Sequence, residues 1–218
     1  MEASLDPIEI RVIGALIEKQ VATPEYYPLT LNSLVAACNQ TTNRDPVTSH
    51  DESAIGRALA SLRQKGLTWT VTGGRAPKYE HRFGEKFQLA GPALAVMCVL
   101  MLRGPQTAGE IRGRTGRLCE FAGLEEVETV LASLMGLERP LAIKLARLPG
   151  TKEPRYAHQL GGDAPAYGHE PPPPTEASVT DVLGANQRIV QLENEMAALR
   201  QELQELHQQF LDLKRQFE

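Results

Sequence analysis

Cysteine is scarce in this chain of 218 residues, and the three present, Cys38, Cys98 and Cys119, are odd in number and far apart. That excludes a disulfide framework, and without a C-x-x-C spacing there is no zinc signature, so the thiols are expected to be buried or idle. Long apolar runs are also missing. A stretch such as Ala93 to Leu102 is too short to span a bilayer, and the N-terminus MEASLDPIEI lacks a basic region followed by an apolar one. The expectation is a cytoplasmic protein without a membrane partner. There is no excess of positive charge, the net value being −4, which argues against a protein that coats nucleic acid by charge alone. Finally, no Walker loop, dinucleotide fingerprint, H-E-x-x-H or G-x-S-x-G occurs. His50, His81, His158, His169 and His207 stand singly. No enzyme activity, cofactor or metal is therefore expected.

What the chain does contain is a repeat. GGRAPKYEHR at residues 73–82 returns as GTKEPRYAHQ at 150–159, so that Pro77-Lys78-Tyr79-Glu80-His81 aligns with Pro154-Arg155-Tyr156-Ala157-His158. Upstream, Ile55, Leu59 and Leu62 are matched by Val127, Leu131 and Leu134, and both triplets run i, i+4, i+7, one apolar stripe along a helix. Each helix is followed by a β-prone run (67–71 and 141–145), a turn, and the Pro-x-Tyr-x-His run, which suits an edge strand because Pro cannot donate to a ladder. Strand alternation turns Tyr79 and Tyr156 inward and the cation beside each outward.

Two further helices precede each of these segments. Asp6-Pro7-Ile8-Glu9 combines an N-cap, a Pro at the first helical position and a Glu at the third, ahead of Val12, Ile13, Leu16 and Ile17 on one face. A second helix after TPEYYP turns Leu31, Leu34, Val35 and Cys38 inward. In the second copy Ala93 to Leu102 is the first helix, and Thr107 with Glu110 opens the second. Three helices and a two-stranded hairpin make a winged helix, and the chain holds two in tandem, mainly α with small β-hairpins. The expected organisation is one module at 1–89, another at 90–160, a Pro/Gly-rich linker at 161–178 and a coiled-coil helix at 179–218.

The strings TPEYYPLTLNSLVAACNQTTNRDPV at 23–47, LRGPQTAGEIRGRTGRL at 102–118 and PRYAH at 154–158 resemble the YceH family of bacterial proteins. The resemblance covers about residues 5–160. It implies a tandem winged-helix fold and a regulator-like protein, and it carries fold further than function.

Beyond the repeats, Pro171 to Pro174 favour an extended spacer. Then Ile189, Leu192, Met196, Leu199, Leu203, Leu206, Phe210, Leu213 and Phe217 are spaced alternately three and four apart, a heptad pattern for a left-handed coiled coil. The flanking pairs between positions g and e, Arg188 with Glu193, Glu195 with Arg200, Glu202 with His207 and Gln209 with Lys214, are nowhere like-charged, which favours a parallel homodimer. A helix folded back on its own chain, or one paired with a partner protein, is the alternative.

A dimer of winged helices suggests double-stranded DNA. The third helix of the first module, roughly Asp51 to Lys65, presents Ser53, Arg57, Arg63 and Gln64 away from its apolar stripe, and the wing adds Arg75, Lys78, His81 and Arg82. Arg and Gln can pair with base edges, and wing cations neutralise phosphates. The third helix of the second module carries Glu125, Glu126 and Glu128 instead, which repel phosphate and suit packing or a protein partner. Its cations Arg112, Arg114 and Arg117 lie near the second helix and the loop after it. Arg44, within NQTTNRDP at 39–46, is read in two ways: as part of a loop that sets the angle between helices, or as a contact to phosphate or a partner. Two functions remain open, a dimeric DNA-binding transcriptional regulator working through the first module and a protein-interaction scaffold without DNA binding.

Overall fold

Asp6 starts the first helix as its neighbours dictate. Its carboxylate accepts from the amides of Ile8 and Glu9, both at 2.8 Å, and Glu9 returns a carboxylate oxygen to the Asp6 amide at 2.8 Å. This capping box satisfies three orphan donors and fixes the start of α1, Pro7–Ala22. The computed structural model describes residues 4–74, 76–147 and 153–161. Arg75, the spacer beyond Gly161 and the heptad positions Ile189 to Phe217 lie outside the described residues.

The first repeat continues through a 3-10 turn, Pro24–Tyr26, into β1, Leu29–Thr30, and α2, Leu31–Cys38. Next come α3, Glu52–Gln64, and the hairpin of β2, Thr68–Val71, with β3, Lys78–His81. The three strands form an antiparallel sheet in the order β1-β3-β2, with Leu29 opposite Tyr79 and Trp69 opposite Glu80. A short helix, α4 (Phe83–Phe87), buries Phe83 and leads to the second repeat. There α5, Gly91–Arg103, α6, Ala108–Thr115, and α7, Leu124–Met135, precede the antiparallel pair β4, Ala142–Lys144, and β5, Tyr156–His158. Gln106 exchanges both backbone hydrogen bonds with Tyr156, at 3.0 and 2.7 Å, and so stands where β1 stands in the first repeat. The order of three helices and a hairpin therefore occurs twice. The short β1 and α4 are additions to the elements expected from the sequence.

One expectation changes. The spacing in α1 predicts a single apolar face, yet every residue from Glu9 to Ile17 is buried. In α5 the same holds from Ala95 to Leu102. A helix buried all round must be covered on all sides: α1 packs on α2, α3 and α5, and α5 on α1, α6 and α7. The side chains of both helices join one core, which includes Ile13, Leu16, Val96 and Leu100. At Gly14 the two helices touch, since a Cβ there would meet the Leu102 side chain at 2.8 Å. The boundary at 89/90 thus separates repeats in sequence but not in packing, and the described residues fall in one compact unit. Among them, no helix is long and apolar enough to cross a membrane.

The loop from Asn39 to His50 is held between the repeats. The Asn39 side chain donates to the His50 carbonyl and accepts from the His50 amide, both at 2.8 Å. The Asp45 amide donates to the carbonyl of Leu102 at the end of α5, at 3.0 Å. Arg11, buried in α1, donates to the Pro46 carbonyl at 2.6 Å.

Candidate nucleic-acid interface

The apolar stripe of α3 decides which side chains can face outward. Ile55, Ala58, Leu59 and Leu62 are buried, and Asp51 caps the helix by accepting from the Ala54 amide at 2.6 Å. A helix advances 100° per residue, so Ser53, Arg57 and Gln64 fall on the opposite side within about 40° of one another. All three are exposed. Arg57 donates to the Ser53 hydroxyl at 2.7 Å, an i, i+4 contact along the helix surface.

Arg63 is exposed too, but it lies round the helix from that stripe. It lines a cavity of about 630 Å³ with Trp69, Arg82, Glu85 and Lys86, at the root of the hairpin. The predicted residues therefore divide into a stripe along α3 and a group beside the hairpin.

The outward face of that hairpin carries Trp69, Val71, Lys78 and Glu80, by the two-residue period of its strands. Lys78 is exposed and has no ion pair among the described residues. Arg82 differs from its expected role as a free phosphate ligand. It pairs with Glu80 at 3.1 Å and Glu85 at 2.7 Å, and its guanidinium sits 5.7 Å over the Trp69 ring. The hydrogen bond to Glu85 raises its pKa further. Its charge is balanced locally, and its geometry braces the aromatic. Trp69, 54% exposed, is the residue that sequence reasoning passed over. The signal was available, because Trp69 shares strand parity with Val71, opposite to the buried Thr68.

Arg44 resolves into its structural reading. It is 5% exposed, and it donates to both Glu18 oxygens at 3.1 and 2.6 Å, to the Ala37 carbonyl at 3.1 and 2.8 Å, to the Asn43 carbonyl at 2.8 Å and to Gln40 at 2.9 Å. With every donor engaged and no face to solvent, it is not available to phosphate or a partner, and the contact considered for it is withdrawn.

The repeated histidines are packed. His81 is 8% exposed, its backbone amide donates to the Tyr27 hydroxyl at 2.8 Å, and Nε2 lies 2.7 Å from the side-chain oxygen Oε1 of Gln20. An Nε2–H tautomer fits that contact and leaves Nδ1 as a buried acceptor without a partner. Burial pulls the pKa of His81, and likewise that of His158, down to about 4, so both rings are neutral at pH 7. Burial pushes the Cys38 thiol up to about 12. At pH 7 the two rings are thus uncharged and the Cys38 thiol keeps its proton.

The second repeat does not copy the first. Glu125, Glu126 and Glu128 are exposed on α7, the helix matching α3. Arg155, the counterpart of Lys78, is only partly exposed and pairs with Glu110 at 2.9 Å. Tyr156 is buried under the hairpin, with Lys144 Nζ 5.8 Å from its ring.

Residues 5–151 match the family described as "Protein of unknown function, DUF480". The chain belongs to this family. It is 48% identical over 219 residues to a "UPF0502 protein" of Pelobacter propionicus, with both chains covered in full. A second "UPF0502 protein", from Geobacter metallireducens, is 51% identical over 197 residues, 90% of each chain. A third, from Geotalea uraniireducens, is 48% identical over the full length of both. Family membership agrees with the YceH-like strings in the sequence, and the relatives' names carry no activity to transfer. The arrangement of side chains remains the basis for function.

Proposed function

We propose that this protein binds double-stranded nucleic acid through its first repeat. In this reading each repeat is a winged helix, α3 lies in a major groove and the β2–β3 hairpin rests on the adjacent backbone. The observation that carries it is the exposed stripe of Ser53, Arg57 and Gln64 on α3, beside a hairpin whose Lys78 has no ion pair among the described residues. At 1.5 Å per residue α3 is roughly 20 Å long, and the major groove is about 12 Å wide, so the helix can reach base edges with its exposed face. Arg57 and Gln64 are the base-reading side chains, and Lys78 is a phosphate contact. Arg63 stands at the flank of the helix, next to the hairpin. The heptad segment makes the protein a parallel homodimer, and a dimer reads a pseudo-palindromic site as a cytoplasmic transcriptional regulator, without catalysis.

The test is fluorescence anisotropy of the full chain on a randomised duplex pool at about 50 and 200 mM salt. The parent is expected to lose affinity steeply with salt, and Arg57→Glu/Lys78→Glu to weaken binding at least tenfold and flatten the salt slope by about 1 for each phosphate left without its cation. Weak, salt-insensitive binding indifferent to the double change would sink the reading.

One observation favours a second reading for the other repeat. The exposed Glu125 of α7 stands where Ser53 stands on α3, with Glu126 and Glu128 exposed to either side of it, and these carboxylates would repel phosphate. That face suits a basic protein surface, and the chain then acts as a scaffold. The salt-insensitive outcome above is the one that would favour it.

A further inference from the structure

A cavity of about 800 Å³ opens where the two repeats meet, and its charge is lopsided. The last turns of α1 and α5, the end of α6 and the loop after it bring Lys19, Arg103, Arg114 and Arg117 to its wall, together with Gln40 and Asn43 from the connection that runs into α3. The carboxylate on that wall, Glu18, already has both oxygens bound by Arg44 at 3.1 and 2.6 Å. Arg114 reaches Glu110 only at 3.8 Å, and Glu110 is held closer by Arg155, at 2.9 Å, and by the Thr107 amide, at 2.9 Å. Arg103 donates to a neutral oxygen, the Asn43 side-chain carbonyl. Arg117 has no carboxylate partner among the described residues.

Helix ends account for part of this. Lys19, Arg103 and Arg114 sit in final turns, where the macrodipole favours a cation. That leaves Arg117, which follows the end of α6, and it leaves the crowding. Burial lowers the pKa of Arg103, and the charges of Arg114 and Arg44 lower it further against the opposing pull of Asp45 and Glu18, so cations outnumber carboxylates along this wall. Guanidinium forks match the paired oxygens of a phosphate, which would offset that repulsion.

We infer that this seam is a phosphate subsite built jointly by the two repeats, and that it takes the sugar–phosphate backbone of the duplex engaged by α3. The source of the phosphate rests on the function proposed above, whereas the subsite itself rests on the wall of cations. The second repeat, whose α7 faces the wrong way in charge, thereby joins the nucleic-acid surface through its second helix instead of its third.

The experiment compares the full-length parent with Arg114→Gln/Arg117→Gln and with Arg57→Glu. Arg114 and Arg117 are exposed, and unfolding curves of the variants establish that they fold. On a duplex pool the double change is expected to weaken binding tenfold or more at about 50 mM salt, equally for all sequences, and to flatten the salt slope by about 1.8, two phosphates at about 0.9 each. Arg117→Lys is expected to retain most of the affinity, since it keeps the charge. Parent-like affinity and slope in the double variant, with Arg57→Glu impaired, would overturn the subsite and leave the reading of α3 intact. Should the parent bind no duplex, the source is wrong and inorganic tripolyphosphate decides the rest. A rise in melting temperature of the parent that vanishes in the double variant supports the subsite, and no rise in the parent overturns it.

Discussion

Replacing Arg44 by Met removes a buried cation while nearly preserving its length and volume. Glu18, whose side chain is 13% exposed, then keeps only Lys19 at 3.8 Å, and the Ala37 carbonyl is deprived of a donor that approached to 2.8 Å. Breaking a buried pair by removing one partner costs about 3–5 kcal/mol, because the remaining charge stays desolvated. For a urea slope of about 2 kcal/mol/M, the midpoint should fall by roughly 2 M. The double change Arg44→Met/Glu18→Gln removes the stranded charge and should recover at least about 2 kcal/mol of that loss, the coupling energy of a double-mutant cycle. Arg44→Lys should rescue little, since a single ammonium cannot reproduce a fork that spans Glu18, Ala37 and Gln40. The assay is urea unfolding followed by circular dichroism. A midpoint shift below about 0.5 M at unchanged slope, or a double change no better than the single one, would refute the assignment of Arg44 as an internal clamp. Glu18 lines the cavity proposed as a phosphate subsite, so the bared carboxylate of Arg44→Met should also weaken duplex binding, and Arg44→Met/Glu18→Gln, which leaves no such charge, should match the parent.

Two further outcomes are expected. His81 and His158 have folded-state pKa values near 4 against about 6.5 when unfolded, so the unfolded chain binds more protons and stability falls as the pH drops from about 6.5 towards 4. At pH 5 each ring should subtract about 2 kcal/mol; urea curves at pH 7 and 5 measure the sum, His81→Gln should remove about half of it, and equal stability at the two values would refute the burial argument. For the C-terminal segment, deletion of residues 179–218 should convert a dimer into a monomer by light scattering, and a truncated chain that stays dimeric would place the interface elsewhere.

The repeat is legible in the sequence because both copies use local signals: a cap three residues from its partner in α1, a helical stripe in α3 and α7, a Pro before each closing strand. What escapes is long-range. Arg44 reads as one more polar residue in a turn, and its partner Glu18 lies 26 positions earlier, on a helix whose outward face nothing in the local pattern marks as buried. The same distance hides the contact of α1 with α5, because each helix looks sufficient for its own repeat. β1 is two residues long, too short for any periodicity, and is defined only by its pairing with β3. The candidate interface residues divide along the same line. Ser53, Arg57 and Gln64 follow from the helical period and are exposed as expected. Arg82 does not behave as a free cation, although its partners Glu80 and Glu85 sit two and three residues away, within reach of a reading of charge pairs. Arg112, Arg114 and Arg117 stand out as a group in the sequence, but only the folding of α1 and α5 against each other reveals that the last two share a cavity with Lys19.

The contact at Gly14 makes the protein a caliper and not a pair of beads. Leu102 sits where any side chain at position 14 would begin, so α1 and α5 are held close by the Leu102 and Met101 side chains packed on the bare backbone of Gly14. The Asn39–His50 loop is bolted to the end of α5 by the amide of Asp45. Tandem repeats on a flexible tether search for two targets independently, and gain by effective concentration. A rigid pair instead presents one preset geometry: whatever the α3 face meets, the hairpin of the second repeat arrives at a distance decided before binding, with no ordering entropy left to spend.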